Sequence, residues 1–392
     1  MNMEQIIEKK DCTGCEACLN ICSHNAIQMK RDNEGFDYPK INQSICVDCG
    51  LCKKVCPVLN YANLSQKRNE NNDIQKAFAA KIKDEKYRSI SSSGGIFPAI
   101  ANYVLSQGGF IVGAAFDSKY NVYHKIISSS DELEEIQASK YTQSKIGLIY
   151  KDIKRYLQSG KLVFFTGMAC QVEGLKLFLQ KEYDNLYTAD LICMGIPSPG
   201  VWRTYLDTNF KEEKIQNINF KDKTYGWRNF SLRIETDKRL FLEKGFDNAF
   251  FQCMFKTYTL RPSCFHCPFK KVERLSDFTL ADCWGTINEV PQLDDNKGLS
   301  AVVIHSSKGI HLWEKLGYTL DMAEVNLTSI IKHNDNLVKN KQSHHKRNDF
   351  YYYLNQKSPK KAFKKFGKNS NKSLFYRFKR KVHTLINAVL NR

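Results

Sequence analysis

The sequence predicts an α+β protein with an α/β body, made of a small cysteine-rich N-terminal domain, a larger α/β domain and a basic helical tail. Three observations support this fold class. A four-cysteine motif occurs twice near the N-terminus, predicted strands and helices alternate through the middle of the chain, and positive charge is concentrated towards the C-terminus. The predicted units are residues 1–60, a polar linker at 61–75, the α/β domain at 76–336 and the tail at 337–392.

Composition and charge narrow the class of protein. The chain has 392 residues, 42% of them hydrophobic, and no apolar run approaches the roughly 18 residues that a membrane-spanning helix needs. No signal-peptide pattern opens the sequence, and 14 cysteines in a reducing compartment favour metal ligation over disulfides, so we expect a cytoplasmic protein. Of the net charge of +18, residues 339–392 carry +15, from 16 Lys and Arg and one acid. The body is therefore near neutral, which argues against nucleic acid as a partner.

Two identical cysteine runs predict iron–sulfur clusters. Both read C-x2-C-x2-C-x3-C, and Pro57 follows the second. In this spacing three thiolates of one run surround one cluster, and the fourth reaches the cluster of the other run. The first predicted [4Fe-4S] ligand set is Cys12, Cys15, Cys18 and Cys56. The second is Cys46, Cys49, Cys52 and Cys22. Zinc, the alternative metal, usually takes two cysteine pairs rather than runs of four.

Residues 1–60 resemble the bacterial two-cluster ferredoxin. One departure is Ser23, where that family usually has proline, and its hydroxyl near sulfur can shift a redox potential. The stretch between the two runs alternates around Asn33 and Gly35, which predicts a short hairpin. A domain this small buries little apolar surface, so we expect the clusters to supply much of its folding free energy.

Seven segments of the body have the composition of strands, with helical patterns between some of them. The strand segments are AFAAKI, GFIVGAAFD, NVYHKIIS, KLVFFTG, NLYTADLICMG, DFTLADCWG and LSAVVIHSS. The clearest helical patterns cover residues 95–107 and 169–180. Because neither G-x-G-x-x-G nor G-x4-G-K-[ST] occurs, the sequence contains no Rossmann fingerprint and no P-loop.

Two features of the body are candidates for binding sites. The SSSGG turn at residues 91–95 leads into a helical pattern, where hydroxyls and amides can hold a phosphate or simply cap the helix. Four cysteines lie at strand ends or in a loop, and the residues alone leave a zinc site, a third cluster and unrelated core thiols open. These four are Cys170, Cys193, Cys264 and Cys267. We expect Cys253 and Cys283 to be structural.

An ordered set of motifs identifies the body: SISSSGG, SKYTQS, FTGMACQ, FKDKTYGW, the C-x2-C pair and LADCWG. With this set, residues 76–330 resemble the beta-subunit family of coenzyme F-420 hydrogenase/dehydrogenase. The resemblance implies an FAD-binding α/β fold, and it makes the four body cysteines the ligands of a third [4Fe-4S] cluster beside the flavin. The FAD contacts that it implies, together with a charged candidate near the ring, are Ser91, Ser92, Ser93, Gly94, Gly95, Ser139, Lys140, Tyr141, Ser144 and Asp282. One departure is Met168 and Ala169 before Cys170, where the family commonly has TPC.

The resemblance implies an iron–sulfur flavoprotein oxidoreductase. Flavin accepts a hydride, whereas a cluster accepts one electron, so FAD would connect a two-electron partner such as coenzyme F-420 with clusters that serve a ferredoxin or a redox partner subunit. No residue is identified as a catalytic acid or base. One alternative is an electron-transfer or scaffold subunit without its own substrate. Another is a ferredoxin-driven reductase of a small molecule in polysaccharide biosynthesis.

The sequence of the tail predicts that it contacts a membrane. Residues 372–392 fit a helix with one apolar face, and the polybasic residues 357–372 before it are expected to be unfolded. A basic amphipathic helix suits an anionic membrane surface, which would hold the protein at the inner face of the membrane. The alternatives are packing on the protein's own core and docking into a groove of a partner subunit.

Overall fold

The computed structural model describes residues 6–64, 68, 75–285 and 288–369. Within this part of the chain, no helix is both long and apolar enough to cross a membrane. The described residues form a two-stranded hairpin, an eight-stranded mixed sheet and a three-stranded antiparallel sheet. The predicted mixture of α and β structure is confirmed, with the large sheet at its centre.

The N-terminal unit is built around the hairpin that separates its two cysteine runs. Its elements are α1 (Ala17–Ile21), β1 (Ile27–Arg31), β2 (Asp37–Ile41) and α2 (Leu51–Lys54). The two strands pair antiparallel, as predicted. Their turn is closed by Asp32, whose Oδ1 accepts hydrogen bonds from the amides of Glu34 and Phe36.

The strands of the body make up the other two sheets. They are β3 (Lys76–Ile82), β4 (Phe110–Phe116), β5 (Val122–Ile127), β6 (Val163–Met168), β7 (Leu186–Leu191), β8 (Ile215–Asp222), β9 (Ser231–Thr236), β10 (Leu240–Lys244), β11 (Phe278–Asp282), β12 (Ser300–Ile304) and β13 (Leu320–Glu324). The large sheet has the order β13-β3-β12-β11-β7-β6-β4-β5, and β8, β9 and β10 form the small one. All seven predicted strands are present, whereas β8, β9, β10 and β13 were not predicted.

Strands β4, β6, β7 and β11 run parallel, and the flanking strands pair antiparallel. Parallel strands end at one edge of a sheet, and ligands of such sheets bind outside that edge. The segments that follow β6, β7 and β11 are therefore brought to one place.

Helices cover both faces of the large sheet. The helices of the body are α3 (Glu85–Ile90), α4 (Ile96–Ser106), α5 (Leu133–Ile136), α6 (Ile149–Gln158), α7 (Ala169–Leu179), α8 (Pro199–Asn209), α9 (Ala249–Phe255), α10 (Ser307–Leu316), α11 (Leu327–His333), α12 (Arg347–Tyr352) and α13 (Pro359–Phe366). In β6, Phe164 packs towards α4 and α10, while Val163 and Phe165 pack towards α6 and α7. This alternation buries both faces of the strand, as expected for the parallel centre of a sheet.

The described part of the C-terminal segment packs on the body. Phe350, Phe363 and Phe366 of α12 and α13 are buried with the aromatic side chains of α8, α9 and the small sheet. The expectation that residues 357–372 are unfolded is wrong for Pro359–Phe366, because the apolar side chains of this stretch fall on one face and reach that core. The amphipathic stretch at residues 372–392 lies outside the described residues, and its membrane contact stays a prediction.

The turn of the N-terminal hairpin is inserted into the body. A Cβ on Gly35 would lie 2.5 Å from the Cα of Gly200, so the two backbones are in contact at the start of α8. On the other side, Nη2 of Arg347 donates a hydrogen bond of 2.6 Å to Oε2 of Glu34. These contacts hold the N-terminal unit between α8 and the C-terminal segment.

Candidate functional site

Four thiols of the N-terminal unit line one cavity of about 350 Å³. They are Cys12, Cys15, Cys18 and Cys56. Gly14 has a φ of +70° and Glu16 a φ of +59°, so the backbone between these cysteines curls tightly around the cavity. Ile6, Met29 and Pro39 line the rest of it. We call these four cysteines the inner thiol set.

A second cavity, of about 370 Å³, is lined by the remaining four thiols of this unit. They are Cys22, Cys46, Cys49 and Cys52, which we call the outer thiol set. Cys49 is exposed, and the neighbouring Ile45 and Val47 expose 46% and 56% of their surface. The outer thiol set is therefore the one that another protein could approach.

The structure brings together the same two groups of four that the spacing predicts, including the exchange of Cys22 and Cys56 between the runs. All eight thiols are free of disulfides. Among the described residues, no group of three or more His, Cys, Asp and Glu is arranged to hold a single metal ion. One tetrahedral zinc ion would draw its thiolates to within about 4 Å of each other. A [4Fe-4S] cluster takes four thiolates, and four line each cavity, so the donor set fits two such clusters, and the role of each thiol as a ligand stays a prediction.

Burial raises the pKa of Cys15, Cys18 and Cys56, which favours their protonated forms when no metal is bound. Burial, together with the nearby Cys56 and Cys12, raises the pKa of Cys15 to about 12. Burial and the neighbouring thiols also raise the pKa of Cys18 well above its ordinary value. Because metals bind thiolates, loading this site must release protons.

The four body cysteines also converge. Cys170 is in the first turn of α7 directly after β6, and Cys193 follows β7, so both lie at the edge where the parallel strands end. Cys264 and Cys267 come from the loop at Pro262–His266, and the Ile196 amide donates to Sγ of Cys264 at 3.3 Å. Burial raises the pKa of Cys170 well above its ordinary value, and Cys267, Cys15, Cys193 and Cys264 add to the shift. We call these four cysteines the body thiol set.

The inner thiol set lies directly against the helix that begins at the body thiol set. A Cβ on Gly174 of α7 would lie 3.1 Å from Sγ of Cys15, so the absence of a side chain there allows the contact. Among the neighbouring thiols that raise the pKa of Cys170, Cys15 has the second largest effect, after Cys267. By contrast, Cys253 and Cys283 are buried in hydrophobic clusters, as a structural role requires.

Each serine hydroxyl of the SSSGG turn has a partner within the protein. Oγ of Ser91 donates to the Tyr87 carbonyl at 2.7 Å, and Oγ of Ser93 donates to the Leu299 carbonyl at 2.8 Å. Oγ of Ser92 accepts from the Ser139 amide at 2.7 Å, which joins the turn to the SKYTQS loop. The hydroxyls therefore hold the turn in place.

Both glycines of the turn are needed by the fold itself. A Cβ on Gly94 would lie 2.3 Å from the carbonyl oxygen of Ala80 in β3. Gly95 has a φ of +84°, and its Cβ would lie 2.5 Å from Cγ2 of Ile82. Larger residues here would disturb the sheet whether or not a ligand binds.

Two lysines that sequence reasoning did not select lie in this part of the body, Lys223 beside the turn and Lys221 beside Asp282. Nζ of Lys223 donates to the Ser93 carbonyl at 3.2 Å, and Nζ of Lys221 contacts Oδ2 of Asp282 at 2.5 Å. Burial alone would lower the pKa of Lys221, but Asp282 and Tyr141 raise it above its ordinary value. Both lysines belong to FKDKTYGW, so the motif itself was the available signal.

A stacked pair of indoles lies beside the Lys221–Asp282 pair. Trp227 and Trp284 have ring centroids 4.6 Å apart and nearly parallel planes. Nζ of Lys221 lies 5.6 Å from the Trp284 ring, and Nε1 of Trp227 is 3.4 Å from Oδ1 of Asp282. Asp282 therefore lies between a buried cation and an aromatic wall at the end of β11.

Residues of the SKYTQS loop lie in two different environments. Nζ of Lys140 donates to the Gln137 carbonyl at 2.8 Å, and burial lowers its pKa to about 7. The Tyr141 ring packs against Phe251 in the aromatic core, where burial raises its pKa; Lys221 lowers this pKa and Asp282 raises it. Oγ of Ser144 accepts from Nε2 of Gln171 in α7. The structure thus joins Ser92 to Ser139, and it places Lys223, which contacts the Ser93 carbonyl, near Lys221 and Asp282. Ser91 and Lys140 both bond to Gln137, and Ser144 bonds to Gln171.

Comparison with known families agrees with this division of the chain. Residues 11–60 match the 4Fe-4S dicluster domain. Residues 77–149 match the N-terminal part, and residues 160–329 the C-terminal part, of the coenzyme F420 hydrogenase/dehydrogenase beta subunit.

Similar proteins cover parts of the chain. An uncharacterized polyferredoxin-like protein of Methanocaldococcus jannaschii is 42% identical over 60 residues, which are 13% of this chain and 36% of that protein. The match thus spans about a third of that relative. A ketoisovalerate oxidoreductase subunit of Methanothermobacter marburgensis is 29% identical over 70 residues, 17% of this chain and 89% of that one. A chain of the F420-reducing [NiFe] hydrogenase complex from Methanosarcina barkeri superposes with a TM-score of 0.47 and 15% identity, over 67% of this chain and 88% of that one.

A dicluster domain docked on an α/β body defines an iron–sulfur subunit of the oxidoreductase type. The chain belongs to the coenzyme F420 hydrogenase/dehydrogenase beta-subunit family and has a 4Fe-4S dicluster domain at its N-terminus.

Proposed function

We propose that this protein passes electrons between a two-electron partner at FAD and a one-electron carrier that docks at the outer thiol set. The observation that carries the proposal is the order of the three thiol sets. The outer set is exposed through Cys49, the inner set shares the N-terminal unit with it, and Cys15 of the inner set touches α7 at Gly174. The body set begins at Cys170 of the same helix.

In this proposal the residues around the inner set exclude water and hold the thiolates in place. A [4Fe-4S] cluster, when bound, accepts or releases one electron at a time. The inner and outer sets would each hold one. The body set would hold a third, which is supported by the convergence of its four partly buried thiols and by the resemblance of its motifs.

The proposed FAD site is the region between the SSSGG turn, Lys140 and the Lys221–Asp282 pair. FAD, when bound, exchanges a hydride with a small molecule such as coenzyme F-420. Lys223 and Lys221 supply positive charge for the anionic parts of this cofactor, and the Trp227–Trp284 pair offers an aromatic wall. Lys140, with its pKa of about 7, can hold or release a proton there near neutral pH.

The outer thiol set is the proposed docking point for a ferredoxin or a redox partner subunit. Exposed Ile45 and Val47 supply an apolar contact, and Lys53 and Lys54 in α2 lie beside Cys52. An apolar centre with basic neighbours fits an acidic one-electron carrier, whose approach the lysines would accelerate.

The test is anaerobic reconstitution of the full chain, followed by iron and flavin counts and spectroscopic titration. Reduced coenzyme F-420, NADH and reduced ferredoxin are added separately. We expect stoichiometric flavin that bleaches with one organic reductant, and cluster absorption that bleaches with ferredoxin. Iron without bound flavin in the reconstituted chain would contradict the proposal.

The second candidate is an electron-transfer or scaffold subunit without its own substrate. It is favoured by one observation: the hydroxyls and glycines of the SSSGG turn already serve the fold. A subunit of this kind would keep its clusters and exchange electrons with a partner, but it would bleach with no organic reductant. The same titration therefore distinguishes the two candidates.

A further inference from the structure

Arg261 connects the body to the inner thiol set. Its backbone belongs to the loop of the body thiol set, because its carbonyl accepts from the Cys264 amide at 2.9 Å. Its side chain, only 1% exposed, reaches into the N-terminal unit. There Nε donates to the Cys12 carbonyl at 2.6 Å, and Nη2 lies 3.7 Å from Sγ of Cys12.

The guanidinium is held in a fixed orientation. Nη1 donates to Oε1 of Gln143 at 2.8 Å, and Nη2 donates to the Asp37 carbonyl at 3.0 Å. Its carbon lies 4.2 Å from the centroid of the Tyr38 ring. A Cβ on Gly14 would lie 2.8 Å from Nη1, so the cysteine loop packs directly on the guanidinium.

This buried cation has neutral partners only. Within the part of the chain that the structure describes, no carboxylate lies at ion-pair distance from Arg261. Three acids of the N-terminal unit have other partners: Asp37 pairs with Arg31, Asp11 with His266, and Glu16 accepts from the Gly147 amide. A buried guanidinium without a neighbouring anion lowers the stability of the folded state. The anion that balances its charge should therefore be the group that the inner thiol set binds.

We propose that Arg261 is the counter-ion of the cluster held by the inner thiol set, and that it makes this cluster easier to reduce than the outer one. The proposal rests on the cluster ligands proposed above. A reduced cluster carries one more negative charge, which a desolvated guanidinium near Cys12 stabilises.

The charges beside the outer thiol set are exposed and of both signs, because Lys53 and Lys54 adjoin Cys52 and Asp48 adjoins Cys46. Oδ1 of Asp48 lies 3.6 Å from Sγ of Cys46, so a carboxylate there opposes added negative charge. Asp48 is exposed, so water screens the effect of its charge on the outer cluster. The charge of Arg261 is buried and is screened less. One electron placed on the outer cluster would therefore pass inward, the outer cluster being oxidised and the inner one reduced, with no bond formed or broken. Arg261 also lowers the pKa of Cys264 against the larger effect of burial, so its charge reaches the body thiol set as well.

The test is an anaerobic redox titration of the reconstituted full-length protein, followed by electron paramagnetic resonance. Cys49→Ser changes the ligand of the outer cluster alone and identifies its signal. In the unmodified protein we expect the inner cluster to be reduced first. Arg261→Gln should shift the electron-sharing equilibrium towards the outer cluster by about tenfold, which is 59 mV for one electron.

Two variants serve as controls. Arg261→Lys keeps the charge and should retain part of the preference. Arg31→Gln removes an exposed arginine of the same hairpin, which pairs with Asp37, and should change the sharing ratio less than about twofold.

Each outcome decides one point. If the outer cluster is reduced first in the unmodified protein, the proposal is overturned without any variant. If Arg261→Gln keeps its iron and an unchanged sharing ratio, Arg261 is only a tether between the two units. If Arg261→Gln loses its clusters, Arg261→Lys decides, and complete loss of the preference in that variant, with the charge and both clusters kept, overturns the proposal. A reconstituted protein without two ferredoxin-type clusters would instead contradict the proposed function.

Discussion

Replacing Arg68 by methionine should destabilise the body strongly. The Arg68 guanidinium donates to both oxygens of Glu173 in α7, at 3.2 Å and 2.5 Å, and each side chain is only 3% exposed. Its carbon also lies 3.8 Å from the centroid of the Tyr61 ring. Breaking a buried ion pair from one side costs about 3–5 kcal/mol, and a desolvated cation–π contact adds about 1–2 kcal/mol. We therefore expect a loss of at least about 4 kcal/mol, the lower end of this range.

The loss should grow as the pH rises. Burial already raises the pKa of Glu173, and Arg68 opposes that shift. Without Arg68 the folded-state pKa rises further, so the folded protein binds more protons than the unfolded chain above the ordinary pKa of 4.5. Stability of the variant should therefore fall between pH 5.5 and pH 8, while protonation of Glu173 limits the loss at the lower pH.

The assay is anaerobic urea unfolding followed by tryptophan fluorescence, because all four tryptophans lie in the body. With a slope of about 2–3 kcal/mol per molar urea, the midpoint should fall by about 1.5 M at pH 8. Arg155→Met removes an exposed pair with Asp152 and should cost less than about 0.5 kcal/mol. Arg68→Met with Glu173→Met should recover most of the loss. A loss below about 1 kcal/mol, or one that does not change with pH, would refute the reasoning.

Four further predictions concern the cofactors and the partner. Full reconstitution should give about twelve iron atoms per chain, and Cys264→Ser should lower the count to about eight; an unchanged count would remove the body thiol set from the ligands. Lys223→Met should weaken flavin retention by about tenfold at unchanged iron content, measured as flavin per chain, because it removes a cation beside the SSSGG turn; full flavin occupancy would contradict this site. Burial lowers the pKa of Lys140 from 10.5 to about 7, so between these pH values the unfolded chain binds more protons than the folded protein. The free energy of unfolding, measured in urea, should therefore rise by about 1–2 kcal/mol from pH 7 to 9. In Lys140→Met this contribution to the rise should be absent. Lys53→Glu with Lys54→Glu should slow reduction by an acidic ferredoxin about tenfold at low salt in stopped-flow traces, and equal rates would place the docking surface elsewhere.

Much of the fold could be predicted because the local sequence pattern of most strands agrees with their burial in the folded sheet. The seven predicted strands are short apolar runs between turn residues, and the body sheet buries most of them on both faces. Strands β8, β9, β10 and β13 were missed because their burial patterns are partial and their sequences are rich in charged residues. The segment at Pro359–Phe366 was assigned by its lysines, whereas Phe363 and Phe366 decide its structure.

The candidate flavin region was only partly predictable. The motifs include the SSSGG turn, but close contacts with β3 already require its glycines. Two of its hydroxyls donate hydrogen bonds to carbonyls of other segments. Lys221 and Lys223 enter the region because β8 ends beside β11, and that neighbourhood depends on how the small sheet packs. The motif FKDKTYGW contains both lysines, but it does not indicate that their side chains reach the SSSGG turn and Asp282.

The sequence by itself determined the two four-cysteine groups of the N-terminal unit, since thiolate spacing along a short loop decides which sulfurs can surround one centre. The tertiary structure decided which group lies against the body and which faces solvent. That choice depends on Gly174 beneath Cys15, on Gly35 against Gly200 and on Arg261, whose hydrogen bond to the Cys12 carbonyl joins residues 249 positions apart. Contacts at such separations form only when the whole chain is packed, so spacing along the sequence carries no information about them.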